Sequence, residues 1–522
     1  MPRTLTPLIL LLLTTLSTLA EIHLTRSVIP LFNDGSESTL AEFTFPTDRP
    51  RTLKSIQLST TGTTDLADIT FIGIQHLRQA GNRWIATTTD PQKNLLTPEN
   101  PNGLDFPHGN HKCRILIKTR PGANLLHRIA IHLHSITFTD GQTLTNPSPP
   151  PPPARLAHRI HRTGEHHCHT FRIPGLARAN DGSLLAVYDM RYNSAKDLQE
   201  HMDIGLSRST DGGQTWSTPK PIMDMGQHGG KPQNQNGCSD PNILVDTRTG
   251  TIFVTALWTH GKPGTHQWTG KGSAPGLDIH QTSQFMLVRS SDHGITWSAP
   301  ENLTSSLKNP AWHLFAPAPG NGITLTDGTL VIPTQGRDAN GLPFSNITTS
   351  TDRGNTWTVS PPARTDTTEC AVAQTSSGTL LLSMRDNRNR ADKSITNGRA
   401  LSTTSNLGKT WQTHPADHNA LPEPVCMASL ISHTLPDGRH LLLFSNPRDK
   451  HHRRNITIQA SLDDGLTWPE KHHLLLDDST GYGYSSLTLI DPQTLGILYE
   501  SSIADMIFQK IPLTDLSLPT SP

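Results

Sequence analysis

The sequence predicts an all-β protein, a six-bladed β-propeller preceded by a β-sandwich-like N-terminal domain, and three observations carry that expectation. One phrase recurs: Ser209 to Trp216, Ser290 to Trp297, Ser350 to Trp357 and Ser461 to Trp468, with a weaker copy from Thr404 to Trp411 in which Asn406 stands in place of the Asp. The copies start 54 to 81 residues apart, the span of one small β-unit, and such self-similarity marks a repeat architecture. Upstream of the repeats, apolar and polar residues alternate with period two, as half-buried strands require. Composition agrees: 39 Gly and 41 Pro beside abundant Ser and Thr, with 17% charged residues, suit many turns between strands.

Taken in order, residues 1–20 read as a signal peptide. Arg3 supplies the positive start, Leu8 to Leu13 an apolar core too short to span a bilayer, and Thr18 and Ala20 small residues at a cleavage site. Export to the periplasm, cell surface or medium is the expectation. No later run is apolar for the roughly 20 residues of a spanning helix, so stable membrane insertion is not expected. Residues 21–145 form the expected sandwich, with strands at Ile22 to Leu24, Ala41 to Phe45, Leu53 to Leu58 and Ile129 to Leu133. Residues 146–154 hold an unbroken proline run, which is extended and stiff and reads as a linker. Residues 155–522 then hold five marked units and one unmarked stretch, enough for six four-stranded blades. In each phrase the Asp and Gly suit a tight turn and the Trp is scaffold, packed between the sheets of its blade.

Zero formal net charge argues against nucleic acid or an anionic membrane face as partner. Five widely spaced cysteines form no Cys-x-x-Cys pair, so a structural zinc is not suggested and buried thiols are the default, with disulfide pairing left open. His166, His167 and His169 lack the carboxylate or His spacing of a complete metal shell; no metal and no other cofactor is expected. Oligomeric state is silent.

The chemistry begins before the first repeat. Phe171-Arg172-Ile173-Pro174 sets a charged side chain among apolar ones, and a buried Arg is costly unless an anion meets it. That segment, followed by several Ser-x-Asp-x-Gly-x-Thr-Trp boxes, resembles the exo-sialidase (neuraminidase) family, nearest to bacterial members with an N-terminal β-domain. The resemblance covers about 155–515. It implies a six-bladed propeller with the site at its axis, releasing terminal α-linked sialic acid with retention of configuration. Tyr188 to Leu198 resembles the segment giving a substrate-contacting Arg191 and the acid/base Asp197. Thr367 to Cys370 resembles the segment with the Glu beside the nucleophile, hence Glu369; Ser383 to Arg388 assigns the second clamp arginine to Arg385. Arg453 to Thr457 resembles the source of the third, assigned to Arg454 rather than the adjacent Arg453. Gly481 to Ser485 resembles the nucleophile segment. Tyr482 and Tyr484 share a face in a strand, so periodicity does not separate them; the match favours Tyr484. Leu498 to Ser501 supplies Glu500 to orient Arg172, and Cys238 to Pro241 supplies Asp240 as a binding residue.

These residue types suit a sugar with a carboxylate on its anomeric carbon. Three guanidinium groups clamp that carboxylate. It would repel a carboxylate nucleophile, so a neutral phenol is sensible, as in the Tyr-dependent sialidases. Glu369 takes the phenol's proton during attack. Asp197 protonates the leaving oxygen and later activates water, for which its pKa must be raised. Trp258 and Trp312 fall outside the boxes and suit either a sugar pocket or the core. The partners implied are sialylated glycans: glycoproteins, mucins, oligosaccharides or gangliosides. Two alternatives keep much of the same site: a trans-sialidase or intramolecular trans-sialidase, and a non-catalytic sialoglycan-binding propeller. The N-terminal domain is open between carbohydrate binding and packing.

Overall fold

The computed structural model describes residues 21–79, 81–98, 104–198, 200–260 and 272–519; the expected signal peptide lies outside them. Strands dominate, and the α-helix at Thr304–Leu307 is a single turn. The chain divides into two compact units.

The first unit comprises Met1–Arg26, Thr39–Lys118 and Ala130–Pro153. Two antiparallel sheets build it. One runs in the order His23–Thr25, Glu37–Thr47, Gly109–Thr119, Ile69–Leu77, Arg83–Thr88; the other centres on Arg51–Ser59 paired with His132–Phe138. Phe43, Phe45, Phe106 and Phe138 are fully buried, and the ring of Phe45 meets that of Phe106 edge-on at 5.2 Å, a favoured aromatic geometry. The stretch expected as one strand from Ile129 to Leu133 is split into Arg128–Ile129 and His132–Phe138. Ser27–Ser38 and Thr119–Ile129 fall in the second unit, and the first extends through the proline run to Pro153.

The second unit is propeller-like. Among the described residues, six antiparallel runs follow one another, with first strands at Thr170–Arg178, Asn236–Val245, Leu314–Pro317, Thr367–Gln374, Ser429–Thr434 and Ser485–Asp491. A bridge from Met202 to Gly237 joins the first two runs into one nine-stranded sheet. Neighbouring runs touch through their leading strands, except that Thr367–Gln374 meets the third run through Leu330–Arg337 and Pro343–Ser350; Thr170–Arg178 meets Ser485–Asp491, so the series returns on itself. The last run takes its outer strand from the far end of the unit: Ala154–His161 pairs antiparallel with Met506–Pro512.

The recurring boxes close tight turns as expected. In the first, Asp211 accepts from Thr215 N at 3.0 Å and Thr215 Oγ1 at 2.6 Å, and Trp216 Nε1 donates to Gly213 O at 3.1 Å. Their packing differs from expectation, because the contact is between runs as well as within one. The box glycines adopt positive φ, 91° at Gly213 and 81° at Gly354. A Cβ on Gly213 would lie 2.0 Å from Phe508 of the last run, and one on Gly354 would lie 2.5 Å from Phe253 of the run before. Glycine is required there twice over, for the backbone angle and for the close approach. All five cysteines are buried free thiols. Trp258 and Trp312 pack into hydrophobic clusters rather than lining a sugar pocket.

Candidate active site

Bulges in the leading strands of three runs aim the site's side chains. In Thr170–Arg178 the register shifts between Arg172 and Gly175, with Ile173 at φ 63°. Asn236–Val245 shifts between Ser239 and Asn242, with Asp240 at φ 59°. Thr367–Gln374 shifts between Thr367 and Cys370, around Glu369. An extra residue in one strand re-aims a side chain that plain alternation would send elsewhere. Arg172, Asp240 and Glu369 thereby line one cavity of about 620 Å³, together with Asp197, Arg385, Arg453 and Tyr484.

Glu500 anchors the first arginine. Arg172 donates to it from Nε at 3.0 Å and from Nη2 at 3.3 Å. The same carboxylate accepts from Ile173 N at 2.9 Å and Tyr484 N at 3.0 Å. Burial alone would lower the pKa of Arg172, but Glu500 more than offsets it and holds the guanidinium above its usual value. Arg172 stays charged, with Nη1 3.9 Å from Asp197 and its guanidinium 4.1 Å above the ring of Tyr482, a cation–π contact.

Tyr484 and Glu369 form the reactive pair. The Tyr484 hydroxyl donates a short hydrogen bond to Glu369 Oε1, and Arg385 Nη1 donates to the phenol oxygen at 3.1 Å and to Glu369 Oε2 at 2.5 Å. Burial, then the Glu369 charge, push the phenol above its ordinary pKa, while Arg385 and Arg453 pull the other way. At rest the phenol is therefore neutral, and its proton already points at a base. The choice left open between Tyr482 and Tyr484 is geometric: Gly483 at φ 86° breaks the alternation, leaving Tyr482 40% exposed and Tyr484 buried.

Two assignments need correction. Arg454 points away from the cavity, half-exposed and paired with Asp449 at 2.6 Å; its neighbour Arg453 takes the wall. Arg453 donates to Tyr482 O at 3.1 Å and Val425 O at 3.0 Å and sits 5.6 Å from the centre of the Tyr484 ring. Asn455 at φ 61° and a register shift between Arg454 and Ile456 reverse the facing. Arg191 is also off the wall. It is fully buried, donating to Asp189 at 2.8 Å, to Ala195 O at 2.8 Å and to Asp197 Oδ1 at 2.9 Å. Its guanidinium thus holds Asp197 in place from behind, and the Asp197 side chain remains 40% exposed at the cavity. Asp240 does line the cavity; burial first, then the charges of Asp189, Glu369 and Asp197, raise its pKa well above the carboxylate range. Gln335, Arg337, Asn387 and Arg390 complete the wall. The sequence reading missed Gln335, Arg337 and Arg390 because they lie outside the matched segments; Asn387 lies inside Ser383 to Arg388, where the match singled out Arg385 alone.

A phenol hydrogen-bonded to a carboxylate, flanked by three guanidinium groups in a propeller-like β-fold, defines a glycosidase-type site shaped for an anionic sugar. Comparison with known proteins makes the class specific. Residues 182–497 match the model of the BNR repeat-like domain. A sialidase of Bacteroides fragilis (strain YCH46) is 46% identical over 406 residues, 77% of this chain and 73% of the relative. A sialidase of Paraclostridium sordellii is 30% identical over 356 residues, 64% of this chain and 81% of the relative. The structure of Hadza microbial sialidase Hz136 superposes with a TM-score of 0.87 at 37% identity, covering 94% of this chain and 99% of that one. The chain belongs to the sialidase family, the exo-α-sialidases among glycoside hydrolases.

Proposed function

We propose that this chain hydrolyses terminal α-linked sialic acid by double displacement, with Tyr484 as nucleophile and retention at the anomeric carbon. The observation that carries the reading is the Tyr484–Glu369 hydrogen bond with Arg385 on both partners. Arg172, Arg385 and Arg453 bind the substrate carboxylate and hold the anomeric carbon against the phenol oxygen, which converts attack into a positioned step. As the oxygen–carbon bond forms, the phenol proton passes to Glu369, and Asp197 protonates the departing glycosidic oxygen. Asp197, now a carboxylate, deprotonates the incoming water; attack on the same carbon releases the phenol oxygen, which recovers its proton from Glu369. Two inversions give the α-anomer first.

Glycoproteins, mucins, oligosaccharides and gangliosides with terminal sialic acid are the substrates this reading predicts, reached after export of the chain. Its test is a fluorogenic α-sialoside with the product anomer followed by NMR. Wild type should turn over and release the α-anomer first, and Tyr484→Phe should lose more than about a thousandfold in kcat. Release of the β-anomer first, or an unimpaired Tyr484→Phe, would sink the mechanism. A sialylated product on an added acceptor sugar, in place of free sialic acid, would make the enzyme a transferase instead.

A further inference from the structure

Two loops beside the cavity hold more positive charge than they neutralise. Residues 385–393 carry Arg385, Arg388, Arg390 and Lys393 against Asp386 and Asp392; residues 448–454 carry Arg448, Lys450, Arg453 and Arg454 against Asp449 alone. The chain as a whole is formally neutral, so this is a local concentration. Several of these cations are paired: Arg385 with Glu369 at 2.5 Å, Arg388 with Asp386 at 2.8 Å, Arg448 with Glu470 at 3.1 Å and Arg454 with Asp449 at 2.6 Å.

Three are not. Lys450 Nζ donates to Asn389 Oδ1 at 3.0 Å and Lys393 Nζ to Lys450 O at 3.0 Å, which docks the loops on each other through neutral oxygens. Arg390 reaches only Asn387 Oδ1, at 3.5 Å, and faces the cavity. Among the described residues none of the three forms an ion pair. Lys393 and Lys450 are half-buried, and the carboxylates of Glu423, Asp392 and Asp386 act on Lys450, so these two serve the docking of the loops. Arg390 feels burial first and then repulsion from Arg385 and Arg453, each of which lowers its pKa. The clamp of Arg172, Arg385 and Arg453 already consumes the one carboxylate of a terminal sialic acid. A neutral sugar beyond it would leave Arg390 with no anion to meet.

We propose that Arg390, on the cavity wall beside the clamp and without a carboxylate of its own, forms an anion subsite for a carboxylate or sulfate on the sugar next to the clamped one. The inference rests on the sialoside reading above and deepens it: the preferred glycans are those with a second negative group near the scissile bond.

The test compares kcat/KM on three glycans: 3′-sialyllactose, with a neutral inner sugar; its α2-8-disialyl counterpart, with a second carboxylate; and a sialyl-N-acetyllactosamine sulfated on the inner sugar. Wild type should favour one or both anionic substrates, more strongly at low than at physiological ionic strength. In Arg390→Gln that preference should fall about tenfold, and Arg390→Lys should restore part of it. The arm that responds identifies carboxylate or sulfate as the ligand. Equal kcat/KM on all three, or a preference that survives Arg390→Gln, overturns the subsite. If wild type cleaves none of the three, the sialoside hydrolase reading fails instead. Calorimetric titration of the same glycans then decides: equal affinity for neutral and anionic ones overturns the subsite, and tighter binding of the anionic ones that Arg390→Gln abolishes upholds it.

Discussion

One buried carboxylate, Glu500, accepts four hydrogen bonds, two from Arg172 and one each from the backbones of Ile173 and Tyr484. It fixes a binding group and the nucleophile against the same atom pair, so their spacing does not depend on loop conformation. Glu500→Gln keeps the shape but turns one acceptor into a donor facing donors. We expect kcat/KM to fall about a hundredfold with a lower thermal midpoint, measured on the same preparation. The two neighbouring arginines give a sharper contrast. Arg453→Ala should raise KM at least tenfold, the worth of charge-assisted hydrogen bonds to a carboxylate of about 1.5–3 kcal/mol, while Arg454→Ala should leave kinetics within about twofold. Asp203 supplies a pH effect on stability. Burial, against the Tyr192 hydrogen bond, raises its pKa to about 7. Between the ordinary carboxyl value and about 7 the native protein keeps a proton that the unfolded chain has released, so stability falls as pH rises through that window. Urea unfolding of Asp203→Asn beside wild type should show the difference moving in the variant's favour from about pH 4.5 to about pH 7.5. Much of the site was legible at this scale, because a phenol, a Glu and paired arginines sit in distinctive segments. The choice of Arg453 over Arg454 was not, since it depends on the positive φ of Asn455, which no period-two reading contains.

At the scale of elements, the boxes and the bulges divide the labour. Boxes repeat and so announce themselves in sequence; bulges are single-residue departures whose only trace is an unusual backbone, often before a proline, as at Ile173-Pro174 and Asp240-Pro241. This is why the repeat count and the all-β class could be read from sequence while the facing of individual strand residues could not. The weak copy of the box shows what the motif requires. Asn406 Oδ1 accepts from Thr410 N at 3.0 Å, as an Asp would, and its amide donates to Thr410 Oγ1 at 2.9 Å, reversing one bond without losing it. Asp463→Asn should therefore cost little. Asp463→Ala, which strands Thr467 N and the Ser461 hydroxyl, should cost about 1–2 kcal/mol; denaturant titration of both variants separates shape from hydrogen bonding. Gly354→Ala should be worse than either, because it meets Phe253 as well as the wrong φ.

In the second unit as a whole, the completion of the last run depends on one strand. Ala154–His161 supplies the fourth strand of the last run, its other side pairing with Arg128–Ile129 and Leu31–Phe32, and Arg155 bonds Asp515 at 2.6 Å across 360 residues of sequence. Two ends of the unit are thus sewn together, and every other run is made of consecutive chain. The order of synthesis follows from this. A ribosome delivers Ala154–His161 long before its partner Met506–Pro512, so until that partner emerges the waiting strand has an unpaired edge, the kind of surface that invites the wrong neighbour. Until Met506–Pro512 emerges the ring is an open clasp, and no finished unit exists for a chaperone to let go of.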